Sequence, residues 1–121
     1  MNWLLVFIGG GAGSLLRYSI SLLVPQLIKT SFPLATFITN SLACIALASF
    51  VYLMPKDLKS EWINSLLVIG FCGGFSTFST FSNENFQLLN QGNWPVMIAN
   101  IIVSVVVGVG LIFLMAANKE A

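Results

Sequence analysis

The chain carries very little charge, and this scarcity decides its class. Only 7% of its 121 residues are charged, whereas 57% are hydrophobic, and the mean hydropathy is +0.92. A soluble domain has about 25% charged residues, so we expect an integral membrane protein in contact with the lipid bilayer. The net charge of +1 gives no basis for binding nucleic acid, which selects strongly basic surfaces.

Histidine is absent and cysteine is scarce, and both facts limit the chemistry. Without His, the chain lacks the commonest general base and the commonest metal ligand. The two cysteines, Cys44 and Cys72, lie inside apolar segments, so they are predicted to pack as small buried hydrophobic residues and not to form a disulfide. Because no pair of carboxylates lies within an apolar segment either, an enzyme is the least expected class.

The few charged residues separate four apolar stretches. About 20 apolar residues are needed to cross a bilayer as a helix. By this rule, helices are predicted over residues 2–24, 33–54, 61–90 and 94–118. Pro25 and Pro33 are expected to bracket the first loop, and Pro55 to end the second helix. Since the loops are too short to hold a soluble domain, residues 1–121 are predicted to form one all-α transmembrane domain.

The distribution of basic residues barely favours one orientation in the membrane. Four spans place Lys56, Lys59 and Lys119 on one side. The other side has Lys29, joined by Arg17 if that side chain reaches the interface. Such a small difference is a weak positive-inside signal. It fits either a single orientation with few charges or insertion in both orientations.

The third apolar stretch contains a segment that is unusual for a membrane helix. From Gly73 to Phe81 it consists of two glycines followed by alternating aromatic and hydroxyl residues. Paired glycines weaken a helix, and Ser and Thr side chains compete for its backbone hydrogen bonds. We therefore predict a break near the middle of the third helix. Carbonyls freed at a break suit a cation, and N–H groups at the start of the next half-helix suit an anion.

Phenylalanines recur at every third residue of this segment. For Phe75 we expect ordinary packing. Ser79 and Thr80 lie between Phe78 and Phe81, which favours a path along which polar and aromatic groups alternate. Because the edge of an aromatic ring is the positive part of its quadrupole, the rings of Phe78 and Phe81 are candidates to hold an anion without a fixed charge.

Asn40 lies near the middle of the second stretch. It is flanked by Thr39 and Ser41, and it shares one helical face with Thr36 and Cys44. An amide in hydrocarbon must form hydrogen bonds. Asn40 therefore either joins two helices, which is a common use of Asn in membranes, or lines a pore and donates to an anion.

Three further features have simple structural interpretations. The four-residue spacing of Gly9 and Gly13 predicts close helix packing. Arg17, one turn after Gly13, either extends its side chain to the lipid headgroups or forms the positive end of an anion path. Glu84 lies near the end of the third helix, where we expect a solvated or interfacial residue.

Three motifs resemble those of the Fluc (CrcB-type) fluoride channel family, and the similarity covers nearly the whole chain. Gly9–Tyr18 resembles the first-helix motif, with Ser14 where Ala is usual. Thr36–Asn40 resembles the second-helix segment. Gly70–Ser82 resembles the third-helix signature almost residue for residue, and that signature is long and unusual for a membrane helix.

The resemblance implies a passive fluoride-selective channel that exports cytoplasmic fluoride across the cell inner (plasma) membrane. Members of the family are antiparallel, dual-topology homodimers of four-helix subunits, with two pores along the interface and a central structural sodium ion. By position, the resemblance implies that Asn40 is a pore amide and that Phe78 and Phe81 supply ring edges that contact fluoride. It implies that Ser79 and Thr80 are pore hydroxyls and that Arg17 lies near the vestibule. It also implies that the backbone carbonyls of Gly73 and Ser76 bind sodium.

One position departs from the family pattern, and two other functional classes compete. Many members carry Tyr at the position of Asn100, and an amide cannot supply that aromatic surface. A proton-coupled multidrug transporter would need a carboxylate at mid-span, and none of the four carboxylates lies there. The second competing class is a subunit that only packs in a larger complex. The third-helix motif is the one feature of the sequence that argues against it.

Overall fold

The computed structural model describes residues 2–120, which form helices joined by short turns with no strand among them. A membrane-spanning helix forms from each of the four apolar stretches, and the third is interrupted. We number the helices α1 (Asn2–Leu27), α2 (Leu34–Leu53), α3 (residues 61–75), α4 (Phe78–Asn90) and α5 (Trp94–Glu120). The prediction of four spanning helices is therefore confirmed.

The structure corrects the end of the first helix. Pro25 was expected to lie in the first loop, but α1 continues through it to Leu27. Pro25 lies in the last turn, where its missing N–H removes one hydrogen bond from the helix. The next turn is still closed, since the N–H of Ile28 donates to the carbonyl of Val24 at 2.9 Å.

Glycines bring α1 and α3 into backbone contact. A Cβ atom added to Gly9 would lie 2.1 Å from the carbonyl oxygen of Leu66, and one added to Gly13 would lie 2.2 Å from that of Phe71. A Cβ atom added to Gly74 would in turn lie 2.3 Å from the carbonyl oxygen of Gly10. Any side chain at these positions would separate the two helices. The close packing predicted from the glycine spacing is confirmed.

Helix α2 packs against α5 through small residues. Thr39, Ala43 and Ala48 are buried, and the sulfur of Cys44 would lie 3.3 Å from a Cβ atom added to Gly108. Both cysteines are free thiols, as predicted. Cys72 is buried and Cys44 is half-buried.

Two extended residues interrupt the third span. Helix α3 begins after Ser60, whose hydroxyl accepts a hydrogen bond from the N–H of Ile63. Residues Asn64–Cys72 form wide π-helical turns. The chain then becomes extended at Ser76 and Thr77, and α4 begins at Phe78. The backbone groups at the two facing helix ends must therefore find partners outside the helices.

Much of the outer surface is apolar. Trp3, Phe7, Val106 and Phe113 are among the large hydrophobic side chains that are more than half exposed. Water would disfavour such a surface, whereas hydrocarbon accepts it. Together with the length and composition of the four spans, this surface defines a multi-pass membrane protein.

Candidate functional site

The amide of Asn40 binds both backbone polar groups of Thr77 at the interruption of the third span. The N–H of Thr77 donates to Asn40 Oδ1 at 2.8 Å, and Asn40 Nδ2 donates to the carbonyl oxygen of Thr77 at 3.2 Å. A strand neighbour would offer Thr77 the same two bonds. Asn40 thus satisfies an extended residue at membrane depth, where water is not available to do so.

The beginning of α4 keeps two N–H groups uncommitted. The Thr77 hydroxyl accepts a hydrogen bond from the N–H of Thr80 at 3.2 Å, which caps the helix. Asn40 Oδ1 accepts a hydrogen bond from the N–H of Thr77. Within residues 2–120, the N–H groups of Phe78 and Ser79 have no hydrogen-bond acceptor. These donors, at the positive end of a helix dipole, suit an anion.

Arg17 binds the carbonyl end of α3. Its Nε donates to the carbonyl oxygen of Gly74 at 3.2 Å, and the Ser14 hydroxyl donates to the same oxygen at 3.4 Å. A cation at the C-terminal end of a helix is favourable because the exposed carbonyls there are partially negative. Arg17 is half-buried. Its guanidinium therefore stabilises the interruption, and the vestibule position stays a prediction.

The carbonyl oxygens of Gly73 and Ser76 remain without donors in the part of the chain that the structure describes. Both residues are exposed on the surface of the single chain. Uncommitted backbone carbonyls at a helix break are the ligands that Na⁺ takes in membrane proteins. These residues therefore fit a sodium ion chemically, although two oxygens from one chain would not complete its coordination.

The three phenylalanines of the segment have different environments. Phe75 is 3% exposed and packs on Phe71 with ring centroids 5.5 Å apart, so its predicted packing role is confirmed. Phe78 is 80% exposed, and Phe81 is half-buried. Their ring centroids lie 6.1 Å apart, with an angle of 40° between the ring planes. The two candidate rings thus lie close together, with Phe78 on the surface of the chain.

A cavity of about 410 Å³ opens between the ends of α1, α2 and α4. Thr36, Thr80 and Glu84 contribute polar groups to its wall. The hydroxyl of Thr36 donates to the Glu84 carboxylate, and Glu84 is half-buried. The expectation of a solvated or interfacial residue at Glu84 therefore did not include its hydrogen bond with Thr36. Ser79, by contrast, is exposed and does not line this cavity.

Comparisons with known proteins place the chain in a family. Residues 4–116 match the family model described as CrcB-like protein, Camphor Resistance (CrcB). The chain belongs to the CrcB family. A relative from Phocaeicola vulgatus, named fluoride-specific ion channel FluC, is 46% identical over 106 residues, which are 88% of each chain.

Further relatives carry the same name. A FluC protein from Azobacteroides pseudotrichonymphae is 41% identical over 114 residues, covering 91% of this chain and 89% of the relative. One from Pyrococcus horikoshii is 45% identical over 112 residues, again covering 91% and 89%. The family resemblance read from the motifs is confirmed, and so is the expectation that this CrcB-family chain is not an enzyme.

Sequence reasoning missed one polar network in this CrcB-family chain. Asn100 Nδ2 donates to Asn85 Oδ1 at 2.8 Å, and Ser104 Oγ donates to Asn100 Oδ1 at 3.0 Å. The network joins α4 to α5 inside the helix bundle. The available signal was the pair of amides within two apolar helices, each of which needs a partner at membrane depth.

Proposed function

We propose that the chain is a passive fluoride-selective channel that lets cytoplasmic fluoride leave the cell through its inner (plasma) membrane. The proposal is supported by its relatives, which are named fluoride-specific ion channels. One structural observation carries it to this chain. The interrupted third span leaves the N–H groups of Phe78 and Ser79 uncommitted beside the paired rings of Phe78 and Phe81.

Fluoride is a small and strongly hydrated anion, so a pore must replace its water with closely placed donors. The N–H groups of Phe78 and Ser79, the hydroxyls of Ser79 and Thr80, and the edges of the rings are such donors. All of them carry partial charges. A path of partial charges binds the anion enough to admit it and not so tightly as to retain it.

Asn40 serves two purposes in this proposal. Its Oδ1 and one hydrogen of Nδ2 hold Thr77. An amide NH₂ has two hydrogens, so the second one is free to donate to fluoride. The two interpretations of Asn40 that the sequence left open are therefore compatible. A pore donor held by a backbone clamp is also pre-organised, which lowers the cost of binding.

The driving force comes from acid trapping. Hydrogen fluoride is a weak acid that crosses lipid in its neutral form and dissociates in the more alkaline cytoplasm. The anion cannot return through hydrocarbon because burying a charge there is costly. A passive pore lets it leave down its gradient, and a membrane potential that is negative inside assists the exit.

We propose further that two subunits in opposite orientations form a homodimer with two pores along the interface. Gly73, Ser76 and Phe78 are exposed on the single chain at membrane depth, and a second copy would cover them. A two-fold axis at this surface would place the same groups of both subunits together. The weak Lys and Arg bias is compatible with insertion in both orientations.

The dimer would also complete the proposed sodium site. The carbonyl oxygens of Gly73 and Ser76 from each subunit would hold the ion at the two-fold axis. When bound, sodium supplies a fixed positive charge that satisfies these carbonyls and joins the two interruptions. Arg17 and Ser14 take the neighbouring carbonyl oxygen of Gly74, which leaves the other two available for the ion.

The function is tested with the purified protein in liposomes loaded with fluoride or with chloride. We expect rapid fluoride efflux when the membrane potential is collapsed by a potassium ionophore, and negligible chloride efflux under the same conditions. Liposomes without protein measure the leak. Equal efflux of both anions, or fluoride efflux at the leak rate, would show that the chain is not a fluoride-selective channel.

A further inference from the structure

Asn85 ends a chain of three hydrogen-bonded side chains inside the subunit. Ser104 donates to Asn100, and Asn100 donates to Asn85 Oδ1. Asn100 is 1% exposed and Asn85 is 7% exposed. In this network Asn85 Oδ1 accepts the Asn100 amide hydrogen. Its carbonyl oxygen faces α5, and its NH₂ group faces away from that bond.

The NH₂ group of Asn85 is an uncommitted donor. Within residues 2–120 it has no hydrogen-bond acceptor, whereas no side-chain nitrogen or oxygen there is both fully buried and unpaired. Nδ2 therefore reaches the surface of the subunit, although the residue as a whole is more than nine-tenths buried. An accessible NH₂ group without an acceptor in the protein is free to donate to a passing anion.

Helix geometry aligns Asn85 with the two candidate rings. At 3.6 residues per turn, Asn85 is rotated by about 20° from Phe78 and by about 40° from Phe81, and it lies about 6 Å beyond Phe81 along the axis of α4. Glu84 is rotated by about 100° from Asn85 and binds Thr36 on another side. Asn85 thus continues the line of the rings, and Glu84 does not.

We propose that Asn85 is a further fluoride-binding and selectivity-determining residue, whose amide donates to the anion one turn beyond Phe81. Asn100 is its positioning residue. The inference rests on the proposed channel function. An N–H donor replaces a water ligand of a strongly hydrated anion. If the Asn85 amide were turned over, its carbonyl oxygen would face the anion and repel it, so the bond from Asn100 decides the sign of the interaction.

The main test is Asn85→Asp, with Asn83→Asp as the matched control. Aspartate keeps an oxygen to accept from Asn100 and replaces the free NH₂ with a second oxygen. Asn83 lies on the same helix and is exposed, so its variant controls for the added charge. We expect fluoride flux per folded dimer to fall about ten- to a hundredfold for Asn85→Asp, the effect of one hydrogen bond to a charged group. Asn83→Asp should keep the parent flux.

A second variant keeps the test decisive if Asn85→Asp does not fold. Replacing both partners of a buried hydrogen bond by apolar residues is nearly neutral for stability, so we use Asn85→Leu/Asn100→Leu. Ser104 can then bond to a carbonyl of its own helix. Loss of fluoride flux from this folded dimer supports the proposal. Parent flux through it, or through folded Asn85→Asp, overturns the proposal and leaves a role in helix packing alone.

The positioning role of Asn100 has a separate readout. Asn100→Leu removes the bond that orients Asn85, so we expect the ratio of fluoride to chloride flux to fall about tenfold or more. A residue that only packs would lower the folded fraction and leave this ratio unchanged. If the parent protein itself shows no fluoride flux, the channel proposal fails together with this one. Parent flux with unaffected variants overturns the Asn85 assignment alone.

Discussion

The side chain of Asn40 and the backbone of Thr77 form a two-bond pair, with distances of 2.8 and 3.2 Å, across a sequence separation of 37 residues. This pair fastens α2 to the interruption of the third span. It explains how the extended residue Thr77 persists at membrane depth, where an unsatisfied peptide group costs several kcal/mol, on the order of a whole hydrogen bond in an apolar medium.

The pair predicts the behaviour of Asn40→Asp. The carboxylate can still accept from the N–H of Thr77, but it places a second oxygen against the Thr77 carbonyl. We expect loss of fluoride flux, and a loss of stability of about 1–3 kcal/mol from the unsatisfied carbonyl. Liposome efflux and thermal unfolding in detergent measure the two effects. Asn90→Asp, at an exposed position, is the control. Equal flux through Asn40→Asp and the parent would return Asn40 to a purely structural role.

The contact of α1 with α3 predicts which glycines tolerate a methyl group. Gly13→Ala forces a Cβ atom into the Phe71 carbonyl, and overpacking of this kind costs about 1–3 kcal/mol. The melting temperature of the purified protein should therefore fall. Gly11→Ala is the matched control, because its Cβ atom would meet nothing within 4 Å. Similar melting temperatures for the two variants would contradict the packing of these helices.

A substitution at Gly73 distinguishes the fold of the single chain from the assembly of the proposed dimer. A Cβ atom there meets nothing within 4 Å in the single chain, so Gly73→Ala should keep the parent helix content by circular dichroism. If its carbonyl holds sodium at a two-fold axis, the variant should dissociate more readily in gel filtration. Gly110→Ala, which is equally free of contacts, is the control.

The proposed sodium site has a direct test in the parent protein. Exchange of sodium for a large organic cation should shift the parent from dimer to monomer in gel filtration. Gly73→Ala should respond less, because its site is already perturbed. A parent dimer that is equally stable and active after rigorous removal of sodium would show that a structural sodium ion is wrong.

The rings of the third span should respond according to their burial. Phe78→Ile/Phe81→Ile keeps apolar side chains and removes the ring quadrupoles, so fluoride flux should fall strongly while the dimer stays folded. Phe81→Met should retain more flux, since a flexible thioether fits irregular spaces. Phe75→Ile is the contrast. Phe75 is buried, so stability should fall first, by about 1–3 kcal/mol, because the smaller side chain leaves a cavity. Parent flux through the folded double variant would end the ring-edge proposal.

The orientation in the membrane can be measured in cells. A reporter fused to the C-terminus should be found on both sides of the membrane, because Lys56, Lys59 and Lys119 scarcely outnumber the basic residues of the other side. Adding two lysines to the turn at Lys29 should shift the population towards one orientation. A single orientation of the unmodified chain would contradict the antiparallel dimer.

Much of the architecture could be predicted from composition and spacing. Four apolar stretches of sufficient length can hardly avoid becoming helices in a bilayer, because a helix satisfies its backbone without water. Close packing of α1 could be predicted from Gly9 and Gly13, since small residues permit backbone contact, and the structure identifies α3 as the partner helix. The sequence also showed that the third apolar stretch contains an unusual segment, and in the structure the extended residues Ser76 and Thr77 lie within it.

The partners of the polar residues were decided only by the tertiary structure. Asn40 meets Thr77, Arg17 meets Gly74, and Glu84 meets Thr36 across separations of 37, 57 and 48 residues. A sequence shows that an amide or a carboxylate in an apolar helix must be satisfied, because hydrocarbon cannot do so. Which group satisfies it depends on how neighbouring helices are rotated and shifted, and close packing of the whole bundle sets those rotations. For the same reason, Asn100 stood out in the sequence while its contact with Asn85 became visible only in the fold.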